Sequence, residues 1–130
     1  MCLNRITKSF PPNDDCEVWY KIVKRSNEWY QSHKPNVFFS LYRSFCIKLG
    51  WAYTVRRNWK LTCTKSYETY AEGFHFYSKG AAYKALSEEG DTILECVVWD
   101  IRAKGTDYYG KACVAKSFRA MREIKPRWSV

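Results

Sequence analysis

The chain has no long hydrophobic run. No stretch approaches the roughly 18 apolar residues of a membrane-spanning helix, and the opening Met1-Cys2-Leu3-Asn4-Arg5-Ile6-Thr7-Lys8 lacks the apolar centre of a secretory signal. These absences predict a cytoplasmic protein with no membrane partner. Cys-x-x-Cys pairs are also missing. Cys2, Cys16, Cys46, Cys63, Cys96 and Cys113 stand singly, which argues against a zinc site, so no metal is expected. There is no P-loop, GxGxxG, HExxH or GxSxG, and nothing implies a cofactor. Histidine is scarce, with only His33 and His75. No repeat, low-complexity segment or boundary divides residues 1–130, which predicts a single domain.

Positive charge and aromatic rings are abundant. The formal net charge is +9, and aromatics make up 18% of the chain, including six Trp and ten Tyr. Such a charge attracts polyanions: nucleic acid, a phosphate-bearing small molecule, or an acidic protein face. The thiols are expected to be reduced, with Cys46, Cys96 and Cys113 as small core residues.

The pattern of apolar residues predicts an α+β fold: a small, mainly antiparallel sheet with one principal helix packed on it. Residues 1–15 read as an N-terminal arm ending in the turn-forming Phe10-Pro11-Pro12-Asn13-Asp14-Asp15. Branched and aromatic residues predict strands over Glu17–Val23, Val37–Arg43, Trp51–Val55 and Gly73–Tyr77. Arg56–Glu72 has a mixed pattern and reads as a long basic and aromatic loop with at most a short strand. Ser78 suits a helix N-cap, Ala82, Ala85 and Leu86 form one apolar stripe, and Gly90 closes the helix. Ile93–Ala103 is apolar on both faces, with Ile93, Val97, Trp99 and Ile101 on one and Leu94, Cys96 and Val98 on the other. It is therefore expected to be central and covered on both sides. Lys104–Asp107 reads as a turn, Lys111–Met121 as a last antiparallel strand, and residues 122–130 as a basic tail.

Two features could carry chemistry. Arg43, Arg56, Arg57 and Lys60 lie among aromatic residues, with Trp59 inside the densest run. Arginine forks grip phosphate, and flat rings stack on bases. With His75 as part of the wall, these residues are expected to form one anion-binding cleft. Small polar residues aside, His75 alternates with Phe74 and Phe76, so it faces outward or lines a cleft if those two rings face the core. The second feature is Cys2: removal of Met1 would leave a thiol beside a free amine, a pair able to act as nucleophile and base with His75 orienting it.

Met1-Cys2-Leu3, Tyr20-Lys21-Ile22, Gly73-Phe74-His75 and the strand from Cys96 to Ala103 resemble a family of small uncharacterised proteins of phages, other viruses and plants. The resemblance covers most of the chain and implies a viral origin, a host-cytoplasm location, and a role such as sequestering a nucleotide signal of host defence. The SOS-response-associated peptidases are similar only in the Met-Cys start, and Leu3-Asn4 departs from their Gly-Arg. Taken together, these features predict a binding protein for an anionic small molecule or nucleotide, with nucleic acid as a further ligand class. The alternatives are an N-terminal-Cys enzyme using Cys2 and His75, and an interaction module that blocks an acidic host partner. Nothing in the sequence fixes the oligomeric state.

Overall fold

The computed structural model describes residues 3–25, 36–41, 45–57, 59–63, 65, 67–86 and 92–124. Cys2, His33, Arg43, Gly90 and the tail residues 125–130 lie outside them. In chain order the elements are β1 (Arg5–Ser9), β2 (Cys16–Lys24), β3 (Val37–Ser40), β4 (Cys46–Lys48), β5 (Ala52–Thr54), β6 (Lys60–Thr62), β7 (Thr69–Ala71), β8 (Phe74–Tyr77), α1 (Lys79–Leu86), β9 (Thr92–Asp107) and β10 (Gly110–Ile124). Among the described residues no helix is long and apolar enough to cross a membrane.

This architecture corrects the expected α+β class. The described residues form an eight-stranded antiparallel sheet, a separate two-stranded β6–β7 hairpin and one helix of eight residues. The physical reason lies in β9 and β10. The run read as a turn at Lys104–Asp107 stays extended, and the reversal falls at Tyr108–Tyr109, with Gly110 at φ 138°. Two strands of 16 and 15 residues result, long enough to be flanked by different partners along their length. β9 takes β1 at one end and β2 at the other, while β10 takes β8 and then β5. A single bridge between Tyr20 and Tyr77 joins β2 to β8 and closes the ring β2–β9–β10–β8.

The arm is therefore partly a strand. Arg5 pairs with Thr106 and Ser9 with Ala103, although only Ile6 in β1 is a large apolar residue. Gly105 permits this approach, because a Cβ there would run into the Arg5 carbonyl oxygen. Gly105→Ala is expected to pry β1 away and lower stability by about 1–2 kcal/mol through lost ladder hydrogen bonds. Denaturant melts would check the cost, and amide exchange at Ile6 would check that the loss is local.

Apolar residues line two faces of the ring. One layer joins Val23, Phe38, Ile47, Phe76, Leu94, Cys96, Val98, Cys113 and Phe118. Phe118 anchors it, with ring centroids 4.8 Å from Phe74 and 5.3 Å from both Phe76 and Tyr53. The other layer packs Leu3, Ile22, Tyr70, Tyr77, Ile93 and Val114 under Ala81, Ala82 and Ala85 of the helix. Ser78 caps α1 as expected: its Oγ accepts from Ala81 N at 3.4 Å and its carbonyl from Ala82 N at 2.9 Å. Cys96 and Cys113 are buried, whereas Cys46 is exposed.

The alternation of β9 is broken at Asp100, which holds φ 54°. The register slips beside it, between Val114 and Ala115 of β10. Ile101 consequently joins the layer of Leu94, Cys96 and Val98 rather than the face of Val97 and Trp99. Val97 and Trp99 are only half-buried, so β9 is not covered on both sides along its whole length.

Candidate functional site

Charged groups gather where β9 and β10 kink at Asp100. Left-handed backbone costs a non-glycine residue of order 1 kcal/mol, and such strain collects at functional positions. Asp100 is held there by its side chain: Oδ1 accepts from Arg102 Nε at 2.8 Å and from Asn13 N at 3.2 Å. Burial works against its ionised form, but these donors outweigh it and hold the carboxyl below its usual range.

Across the kink, Lys116 is 4% exposed as a residue. It sits in an otherwise small or apolar run because its Nζ donates to the Arg57 carbonyl while Val55 N donates to the Lys116 carbonyl. Burial lowers the pKa of Lys116 most, helped by the nearby Arg102 and Arg57 cations. The segment after β5 is thus fastened along β10. Arg57 then reaches Glu72, with Nη2 to Oε1 at 2.7 Å, and lays its guanidinium 4.5 Å from the centre of the Trp59 ring. Glu72 N donates to the Trp59 carbonyl, which ties the start of β6 to the approach of β8. Thr54 and Ser117 hydroxyls meet at 3.0 Å beside Trp99. Beside the cluster, an open depression of about 450 Å³ runs over Asn13, Asp14, Trp99, Asp100 and Ser117, and none of the cations lines it.

The cluster holds three cations, Arg57, Arg102 and Lys116, against two carboxylates, Asp100 and Glu72. Glu72 Oε2 is buried with no hydrogen-bond partner. Chemically the arrangement offers an excess positive charge on backbone-fastened strands, with the Trp59 ring 60% exposed next to it. Among the described residues no group of three or more His, Cys, Asp and Glu side chains is placed to hold a metal.

No protein-family model, curated protein or solved structure matches the chain.

Of the residues expected to form the cleft, the structure brings Arg57 and Trp59 into contact and leaves Arg56 and Lys60 exposed beside them. Arg43 lies outside the described residues. His75 is elsewhere. Its ring meets Tyr70, with Nε2 3.4 Å from the hydroxyl, in the layer of Leu3 and Tyr77. Both faces of β8 are covered, so alternation with Phe74 and Phe76 sends His75 into a second apolar layer rather than to solvent. Burial, then the Lys21 cation, push its pKa down to about 3. Arg102, Lys116, Asp100 and Glu72 were not singled out from the sequence. A signal was present: Lys116 interrupts Ala112–Ala115 and Phe118, and Asp100 with Arg102 interrupts the most apolar strand.

The N-terminal-Cys alternative meets one favourable and one unfavourable fact. Leu3 N, the peptide nitrogen that follows Cys2, donates to Tyr70 Oη at 3.1 Å, and that hydroxyl touches His75. Yet a histidine with a pKa near 3 is a weak base at neutral pH, since proton transfer works best when the pKa lies near the operating pH.

Proposed function

We propose that the protein binds a phosphate-bearing, nucleotide-like ligand at the Arg57–Lys116–Arg102 cluster. The observation that supports this most is the convergence of three cations from three separate segments on one strained kink, with an exposed indole alongside. Phosphate calls for several charge-assisted hydrogen bonds, and a base calls for a flat apolar face. Arg57, exposed at the surface, supplies the donors, buried Lys116 adds its charge from beneath, Trp59 supplies the flat face, and Arg56 and Lys60 add long-range attraction. Arg57 and Trp59 are exposed, which suits a ligand that keeps part of its surface in water. Sequestration of a nucleotide signal would need nothing beyond such binding.

The test is calorimetry together with tryptophan fluorescence against inorganic phosphate, nucleoside mono-, di- and triphosphates, cyclic nucleotides and a single-stranded oligonucleotide. Arg57→Ala is expected to weaken binding at least about tenfold, because it removes a donor and leaves Glu72 as an unneutralised anion facing the ligand. Trp59→Ala is expected to weaken nucleotides but not inorganic phosphate. Lys111→Glu, which makes a larger change of net charge on an exposed residue elsewhere, should leave affinity near that of the parent. Binding by none of the panel, or equal loss in Lys111→Glu and Arg57→Ala, would overturn the reading.

A further inference from the structure

We propose that Lys21 is a nucleophilic amine at the seam between β2 and β8, and that it takes a small apolar aldehyde as an imine. Strand pairing sets the position. β2 runs along β9 from Cys16 to Val23 but meets β8 at the single Tyr20–Tyr77 bridge. Beside that bridge no further backbone pair joins the two strands among the described residues. The Lys21 side chain crosses there instead, its Nζ donating to the His75 carbonyl at 3.1 Å. Lys21 is half-buried, so solvent reaches its side chain. Behind it lie the enclosed rings of Phe76 and Phe118, with centroids 5.1 Å and 5.9 Å from Nζ.

An ammonium in such surroundings ordinarily has a carboxylate partner. Glu17, on the same side of β2, is held instead by Lys104 at 2.8 Å and by Trp19 Nε1 at 3.1 Å. The titratable groups that act on Lys21 are the thiols of Cys96 and Cys113, which burial keeps protonated at neutral pH. The His75 ring is neutral too. One carbonyl and two rings thus surround an amine that no anion keeps charged. Burial brings its pKa down to about 8, so about one-tenth of it is neutral at pH 7, a far larger share than for a solvated lysine. A lysine desolvated in this way is the form that attacks a carbonyl carbon. Nζ, once neutral, adds to the aldehyde carbon, and the oxygen leaves as water with the two protons of the amine. The proton first given up then returns to the nitrogen, which leaves an iminium with one N–H for the His75 carbonyl. The rings favour an apolar aldehyde over a charged oxo acid. Lys21 takes no part in the Arg57–Lys116–Arg102 cluster, so neither site depends on the other.

The test treats the full chain with acetaldehyde, benzaldehyde or glyoxylate, and with cyanoborohydride to reduce each imine to a stable secondary amine. At pH 7, peptide mapping is expected to find the benzaldehyde adduct on Lys21 at least about tenfold above that on the exposed Lys24, Lys48 and Lys111. The α-amine, whose ordinary pKa is also near 8, is counted separately. In guanidinium chloride, where the fold is lost, the excess at Lys21 should vanish. Glyoxylate should label Lys21 less than benzaldehyde does. Labelling of Lys21 at or below the level of the exposed lysines overturns the proposal. So does an excess that survives unfolding, which would belong to the local sequence and not to the seam, or a preference of Lys21 for glyoxylate.

Discussion

Acidification from neutral pH to about pH 5 is expected to cost the folded protein about 2 kcal/mol through His75 alone, and about 4 kcal/mol by the time the pH reaches the folded pKa. The unfolded histidine takes a proton near pH 6.5, whereas the folded one waits until about 3. Between those values the unfolded chain binds more protons, so stability falls as pH falls. The full linkage of about 5 kcal/mol is reached only when the pH lies well below the folded pKa. The window above pH 5 isolates the histidine. Glu17, Glu95 and Asp100, whose pKa values are all lowered by cation and hydrogen-bond partners, hold their protons off until the pH is below 4.5. Urea melts of the parent and of His75→Gln at several pH values would show it. The parent's stability should slope by roughly 1.4 kcal/mol per pH unit below 6.5, and the variant's should be nearly flat down to pH 5. Equal slopes would mean that His75 is solvated and protonates freely in the folded state.

Much of the sheet could be read from local pattern, and what could not depends on contacts between distant segments. β2, β8, β9 and β10 alternate or run apolar, and Ser78 with the Ala82–Ala85–Leu86 stripe marked α1. β1 carries a single large apolar residue because it is an edge strand with exposed positions, and only Gly105, a hundred residues away in sequence, shows why it pairs. β6 and β7 are three residues each, too short for a period to register. The α+β reading failed because a helix stripe is conspicuous at eight residues, while extension through Lys104–Asp107 is decided by pairing with β1 and β10 rather than by those residues' own preferences.

The site divides in the same way. Arg57 and Trp59 were visible as a cation beside a ring within one run. Their partners come from β9, β10 and the approach to β8, and no local rule connects Glu72 or Lys116 to Arg57. The left-handed backbone at Asp100 is also hidden in the sequence, since such a conformation is usually announced by glycine. His75 was recognisable as singular but not as enclosed, because its environment depends on Leu3 and Tyr70 covering a face that alternation alone assigns to solvent.

Lys21 carries the second large effect, and its sign is opposite to that of a salt-bridged lysine. Alternation along β2 sends it to the same side as Val23, into the layer of Phe76 and Phe118. Its Nζ donates to the His75 carbonyl at 3.1 Å and lies 5.1 Å and 5.9 Å from those two ring centres. No carboxylate offsets the burial, which brings its pKa down to about 8. An amine with a lowered folded pKa makes the folded state favour the neutral form. Stability therefore rises as pH climbs from about 8, where the folded lysine loses its proton and the unfolded one does not. The rise is cut short near pH 9. Burial pushes Cys96 up to about 12 and Cys113 well above its ordinary value, so their unfolded thiols ionise first and stability then falls with pH. Two thiols titrate against one amine, which places maximum stability near pH 9. Lys21→Met keeps the stem's packing and removes the charge. It should stabilise the protein at neutral pH by about 2 kcal/mol, less than the full linkage because Lys21 is half-buried, and it should erase the rising limb between pH 8 and 9. It should also soften the acid sensitivity of His75, since the Lys21 cation helps depress that histidine. Thermal melts of the single variants and of Lys21→Met with His75→Gln would measure the coupling. A destabilised Lys21→Met at neutral pH would show that the bond to the His75 carbonyl outweighs the cost of burying the ammonium.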